Sequence, residues 1–133
     1  MLFKNVSIAG LAHVDAPHTL TSQEINERLK PTLDRLGIRV DVLGDIAGIH
    51  ARRMWDEDVQ ASDAATLAAR KALDDAGIDV GRVGLLVNTS VSRDFLEPST
   101  ASIVSGNLGV SDECMTFDVA NACLAFINGM DIA

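Results

Sequence analysis

Cys123 is the residue whose setting points most directly to chemistry. It lies in the stretch Met115-Thr-Phe-Asp-Val-Ala-Asn-Ala-Cys123-Leu-Ala-Phe-Ile-Asn-Gly-Met-Asp-Ile-Ala133. An apolar, β-branched run suits a buried strand, the small residues Ala120, Asn121 and Ala122 suit a tight turn, and a 3.6-residue apolar pattern resumes from Leu124. This reads as strand, turn and helix, with Cys123 where the helix should start. Unsatisfied backbone N–H groups and the positive end of the helix dipole would then face its sulfur and favour thiolate over thiol. The thiolate is the nucleophilic form. Against this stands the commonest role of a free cysteine, that of a small buried hydrophobe, and spacing alone does not separate the two.

The elements that must carry this corner can be followed along the chain. Leu2 to Leu11 alternates loosely (Phe3, Val6, Ile8) and reads as a strand leading into a loop that holds Pro17 and His18. Thr19 to Ser22 offer N-caps for an amphipathic helix with acids in its first turn. Pro31 should break or kink that helix, with a second short piece through Leu36 to a Gly37 stop. Residues 38–55 are punctuated by Gly44, Gly48, Asp41 and Asp45 and read as loop. Ser62 and Asp63 are placed to cap an Ala-rich helix ending at Gly77, whose apolar residues on several faces suit close packing on more than one side. Val83 to Thr89 should be a strand buried on both faces, as in a parallel sheet reached by a helical crossover. Ser90 to Asp94 leave its C-terminal end, where α/β sheets place ligands. A further helix starts at Pro98 or Ser99 and ends by Gly109. The order β-α-α-β-α-β-α is a layered α/β plan.

The segment Phe117-Asp-Val-Ala-Asn-Ala-Cys123-Leu-Ala-Phe126-Ile-Asn-Gly129 resembles the nucleophile segment of the thiolase superfamily, in its ketoacyl synthase III branch. There an F-D-[IV] strand feeds a small-small-Cys turn, then a helix with an aromatic three residues on and a Gly after it. The resemblance runs through the whole chain and is strongest to the branch's acyl-CoA-condensing members of long-chain olefin biosynthesis. It implies a thiolase-like layered αβαβα fold, of which residues 1–133 would be the N-terminal half-domain. It also implies that Cys123 accepts a fatty acyl group as an enzyme thioester. A second acyl thioester then attacks through its α-carbon in a Claisen condensation.

In decarboxylating members the position before the matching Pro-Ser is usually aromatic, whereas Leu96-Glu97-Pro98-Ser99 places a carboxylate there. Joining two plain acyl groups needs a base for the weakly acidic α-proton, and decarboxylation of malonyl does not. The resemblance therefore makes Glu97 the general base, entering the partner subunit's active site across a homodimer interface. The plain alternative for Glu97 is an acid in the first turn of the following helix. The resemblance further implies that a His, an Asn and a second oxyanion-hole amide lie in a C-terminal half, needed for catalysis. Fatty acyl-CoA is the expected substrate, with no permanently bound cofactor and no metal. Two other readings stay open: a decarboxylating ketoacyl synthase III using malonyl, and a non-catalytic half-subunit that binds acyl chains.

Gly48-Ile-His-Ala-Arg52-Arg53 resembles the family's G-I-x-x-R segment, but the places of its usual thioester-arm Trp and Arg hold Val42 and Ile46. Those contacts are not expected here, and Arg52 and Arg53 read as a solvated pair before they read as a phosphate clamp. His13, His18 and His50 have no metal-ligand spacing, and Cys114 reads as structural. A net charge of -8 argues against nucleic acid or anionic membrane as partner. It also requires local Arg residues to overcome the field for an anionic substrate. Apolar residues make up 47% with only 4% aromatics, so the core must be aliphatic. No apolar run approaches the ~20 residues of a membrane span, and two cysteines without a signal-like segment suit the cytoplasm. The helical pattern runs out at Ile132-Ala133 with no cap, as expected of the front part of a longer protein.

Overall fold

A computed structural model of the chain describes residues 4–38 and 41–133. Two compact units are formed, one of Asp15–Glu57 and the other of Met1–Val14 with Asp58–Ala133.

In the first unit, β1 (His18–Thr21) pairs antiparallel with β2 (Ala51–Met54), His18 opposite Met54 and Thr21 opposite Ala51. Both strands lie where loop was expected. Ala-Arg-Arg-Met has no apolar alternation, so β2 exists by virtue of its partner and leaves no periodic signal. Helix α1 (Ser22–Leu36) begins as expected. Thr21 is its N-cap, with the Glu24 N–H donating to the Thr21 hydroxyl at 3.1 Å and the Thr21 N–H donating to the Glu24 carboxylate at 2.8 Å. The Thr21 hydroxyl also donates to that carboxylate, and these bonds hold the Glu24 carboxyl below its ordinary range.

Pro31 does not divide α1. Its missing N–H strands the Glu27 carbonyl, but Glu27 is exposed and water can take that place. The helix ends at Gly37 in the left-handed region, φ 69°, whose N–H donates to the Asp34 carbonyl at 3.2 Å.

After the helix, Asp41 closes a π-helical turn over Val42–Ile46. Its carboxylate accepts the N–H groups of Gly44 (2.8 Å) and Leu43 (3.1 Å) and the Asn26 amide (2.8 Å). The Gly44 N–H above all, then the Asn26 amide, hold the Asp41 carboxyl below its ordinary value of 3.8. A pKa depressed on folding stabilises the folded state above the unfolded value and ceases to do so as pH falls through the folded one. The stability difference between the parent and Asp41→Asn is therefore expected to be full near neutral pH and to shrink below about pH 4. Parallel denaturant titrations across that range test it, and a difference that grows on acidification contradicts the assignment.

In the second unit, β3 (Leu85–Asn88) and β4 (Met115–Asp118) pair in parallel, Leu85 opposite Met115 and Asn88 opposite Asp118. Helix α3 (Thr100–Leu108) is the crossover between them and packs on both strands, while α2 (Ala61–Ala76) packs on α3. The buried apolar side chains here are Ala101, Val104 and Leu108 of α3 and Ala125 of α4 (Ala125–Ile132), small and aliphatic as the composition requires. Helix α2 starts one residue before Ser62, with Gln60 as N-cap and the Asp63 carboxylate accepting the Gln60 N–H at 3.0 Å. The Ser62 N–H donates instead to the Asp94 carboxylate, 3.1 Å away in the loop after β3.

The parallel sheet and its crossover are as expected, but all four residues of β3 are half-buried where burial on both faces was anticipated. The opening strand is absent from the described part of 2–11: residues 4–11 have no pairing partner, and Val6, Ile8 and Leu11 are exposed. A strand is held by its ladder, and without a neighbour alternation alone does not make one. Leu2 and Phe3 lie outside the described residues. No helix among the described residues is long and apolar enough to cross a membrane.

Candidate active site

The turn that carries Cys123 leaves the C-terminal end of β4. The Val119 N–H donates to the Asn88 carbonyl at 2.8 Å, which extends the ladder one residue past β4. The chain then turns through Asn121 (φ -139°) and Ala122, and a single 3-10 turn, Ala122–Leu124, feeds directly into α4. Cys123 is the middle residue of that turn and its side chain is exposed to solvent. It is neither inside the helix nor sealed in the core.

Ala122 has φ 43°, the only positive φ at a non-glycine residue among those described. For a residue with a Cβ this costs roughly 1–2 kcal/mol, and such conformations persist only where the surroundings impose them. One brace is visible: the Asn121 amide donates to the Asn128 side-chain oxygen at 2.8 Å, spanning the turn from the residue before it to the second turn of α4.

A second brace is the close approach of α4 to β3 at Gly129. A Cβ built there would lie 2.5 Å from Cγ2 of Thr89 and 3.7 Å from Cγ1 of Val87. Gly129→Ala should therefore destabilise by about 1–3 kcal/mol, despite alanine's better helix propensity. Thr89→Ser removes the clashing methyl, so the double variant should recover most of the loss in a thermodynamic cycle. Additive losses would mean that the helix does not rest on Thr89.

Glu97 lies in the irregular stretch between β3 and α3. Helix α3 has Ser99 as its N-cap and no acid in its first turn, so Glu97 falls outside the helix and the first-turn alternative does not describe it. Its side chain is exposed and has no hydrogen bond or ion pair with a described residue. Phe95 and Leu96 beside it are 58% and 77% exposed. Because β3 and β4 run parallel, the Glu97 loop and the Cys123 turn leave the same end of the sheet. The two side chains are not brought into contact within this chain.

The donors of the α3 N-terminus that Glu97 does not meet are held by Asp118, at the end of β4. Its two carboxylate oxygens accept the Thr100 N–H at 3.0 Å and the Ala101 N–H at 2.8 Å. Asp118 is present in the strand motif but sequence reasoning gave it no task. An acid closing an otherwise apolar strand was the available signal.

The remaining candidates are settled by their partners. Cys114 is half-buried, with its Sγ 3.6 Å from the Met115 carbonyl. His18 Nε2 lies 2.7 Å from the Asp56 carboxylate, both exposed. No group of three or more His, Cys, Asp or Glu among the described residues could hold a metal. Of the two arginines, Arg53 is exposed, as a solvated residue should be, and donates to the Thr19 hydroxyl at 2.9 Å, whereas Arg52 is half-buried with Nη1 lacking a partner among the described residues. Pairing of β1 with β2 draws both arginines onto a strand, which their sequence did not indicate.

No family model matches the chain. An acyl-CoA:acyl-CoA alkyltransferase of Xanthomonas campestris pv. campestris is 84% identical over all 133 residues, and the chain spans 39% of that protein's length. A solved, cerulenin-bound Xanthomonas OleA superposes with a TM-score of 0.91 at 84% identity, over 99% of this chain and 38% of its own. A solved 3-oxoacyl-(acyl carrier protein) synthase III of Xanthomonas oryzae gives 0.92 at 84% identity, over 99% of this chain and 39% of its own. Solved Xanthomonas campestris OleA variants include a cysteine replaced by alanine, a glutamate by glutamine and a histidine by asparagine. In sequence and in fold the chain is therefore similar, over its whole length, to the N-terminal portion of the thiolase-like OleA and ketoacyl synthase III proteins.

Proposed function

We propose that a protein carrying this chain joins two long-chain fatty acyl-CoA thioesters by non-decarboxylating Claisen condensation. Cys123 Sγ attacks the carbonyl of the first thioester, coenzyme A leaves as its thiol, and the acyl group remains on sulfur. The partner subunit's Glu97 then takes the α-proton of a second acyl-CoA. The resulting carbanion attacks the acyl carbon, and Cys123 leaves as thiolate with a β-keto product released. Covalent capture divides one difficult reaction into two easier ones.

The observation that carries this reading is Glu97, an exposed carboxylate with no structural task, at the sheet end from which the Cys123 turn also emerges. Supporting it, the substituted glutamate and cysteine of the OleA variants are separated along their chain by the same number of positions as Glu97 and Cys123. The substituted histidine of the third variant lies farther past that cysteine than this chain extends.

The reading treats residues 1–133 as the N-terminal half-domain of a homodimeric, cytoplasmic enzyme that needs no bound cofactor, with acyl-CoA entering only as substrate. Alone, without the remaining oxyanion donors, the chain should be nearly inactive.

A decarboxylating synthase is the second reading, favoured by the name of the Xanthomonas oryzae relative. Supplying a full-length protein that carries this chain with a long acyl-CoA and nothing else separates the two. A β-keto product without malonyl supports the proposal, a strict malonyl requirement replaces it with the second reading, and failure to form any acyl thioester on Cys123 leaves an acyl-binding subunit.

A further inference from the structure

The N-terminus of α3 is buried, with Thr100 at 1% and Ala101 at 0% exposure. A helix begins with backbone N–H groups that have no partner within it, and burying them unpaired is costly. The Ser99 hydroxyl takes the Ser102 N–H at 3.2 Å. The Thr100 and Ala101 N–H groups go instead to the two oxygens of Asp118, at 3.0 and 2.8 Å. Asp118 is the last residue of β4, opposite Asn88, the last residue of β3. One carboxylate thus fastens the helix start three residues after Glu97 to the strand end five residues before Cys123. Pro98 and Ser99, the only residues between Glu97 and the tether, leave little slack, since proline fixes its own φ.

We propose that Asp118 is the positioning residue of the Glu97 loop. It holds the first two N–H groups of α3, and by doing so sets where Glu97 stands on its own subunit's sheet, and so where it reaches into the partner subunit's site. This rests on the reading of Glu97 as the condensing base. Asp118 touches no substrate in this scheme; it acts through Glu97. Losing either bond frees the start of α3 and lets the carboxylate of Glu97 drift, and a displacement of about 1 Å can cost on the order of 100-fold in a positioned step.

The test uses a full-length protein carrying this chain, with Asp118→Asn and Asp118→Ser made alone and on a Glu97→Gln background. Two steps are measured: single-turnover acylation of Cys123 from acyl-CoA, which counts folded and competent sites, and condensation per acylated site. In Asp118→Asn, condensation per acylated site should fall roughly 10- to 100-fold, and Asp118→Asn should add nothing once Glu97 is already glutamine. Asp118→Ser, which removes both acceptor oxygens and leaves the two N–H groups to water, should fall at least as far as Asp118→Asn.

A purely structural role would lower acylation and condensation in proportion and multiply the Glu97→Gln defect, and either result overturns the proposal. If Glu97→Gln alone leaves condensation intact, the base reading falls and the positioning role falls with it. That outcome is read from the Glu97 single variant and so is distinct from failure of the Asp118 cycle.

Discussion

Cys123→Ala is expected to abolish acyl transfer: incubated with a long-chain acyl-CoA, the full-length variant should show no mass increase on the protein and no stoichiometric burst of free coenzyme A. Turnover should fall by about 10⁴-fold or more, the scale seen when the nucleophile of a covalent mechanism is removed. Stability should scarcely change, because the side chain is exposed and its loss opens no cavity in the core. Serine at the same position is the sharper comparison, since it keeps the shape and offers an oxygen that is far harder to ionise. It should restore no more than a trace of acylation. A Cys123→Ala protein that still accumulates the acyl group at wild-type rate would move the nucleophile elsewhere, and Cys114, half-buried on the other side of β4's short run, is the only other thiol in the chain.

Much of the secondary structure of both units can be read from the residues. Helix α1 announces itself through Thr21 and Glu24, α2 through its alanines and Gly77, and the corner at Cys123 through a change of apolar period at small residues. These are local signals: caps, left-handed glycines and periodicity act within a few residues, and a sequence displays them directly. What the sequence does not display depends on partners far along the chain. The pairing of His18–Thr21 with Ala51–Met54 joins two stretches that carry no strand pattern, and the alternation of Val6 and Ile8 predicts a strand that has no neighbour to pair with among the described residues. Pro31 misled in the opposite direction, because the cost of a proline depends on whether the stranded carbonyl can reach water.

The site divides along the same line. Cys123 was legible because its turn and helix are contiguous with it. The strain at Ala122 and the Asn121–Asn128 brace were not, since both arise from how the turn is closed in three dimensions. The role of Asp118 is hidden in the sequence for a related reason. Its partners are the N–H groups of Thr100 and Ala101, backbone donors that have no residue type to reveal them. The same bonds bear on Glu97. With the start of α3 already satisfied by Asp118 and Ser99, nothing in the helix calls for an acid at position 97, and the carboxylate there needs another explanation.

That explanation leads to the second large effect. Glu97→Gln keeps the size and polarity of the side chain and removes only its capacity to take a proton. If the carboxylate is the base, the two halves of the reaction separate: acyl thioester should form on Cys123 at close to the parent rate, while β-keto product should fall by about 10²- to 10⁴-fold, the usual contribution of a positioned general base. Glu97→Asp retains the base but draws it back by one methylene, and should fall between the two. The proposed action of Glu97 in the partner subunit has a further consequence. In a mixed dimer of Cys123→Ala with Glu97→Gln subunits, one of the two sites combines an intact thiol with the other subunit's intact Glu97, so about half of the parental activity per dimer should return although each parent variant is inactive. Had Glu97 served its own subunit, the mixed dimer would remain inactive, since every site would lack one of the pair. Loss of acylation together with condensation in Glu97→Gln would instead assign the residue to substrate capture.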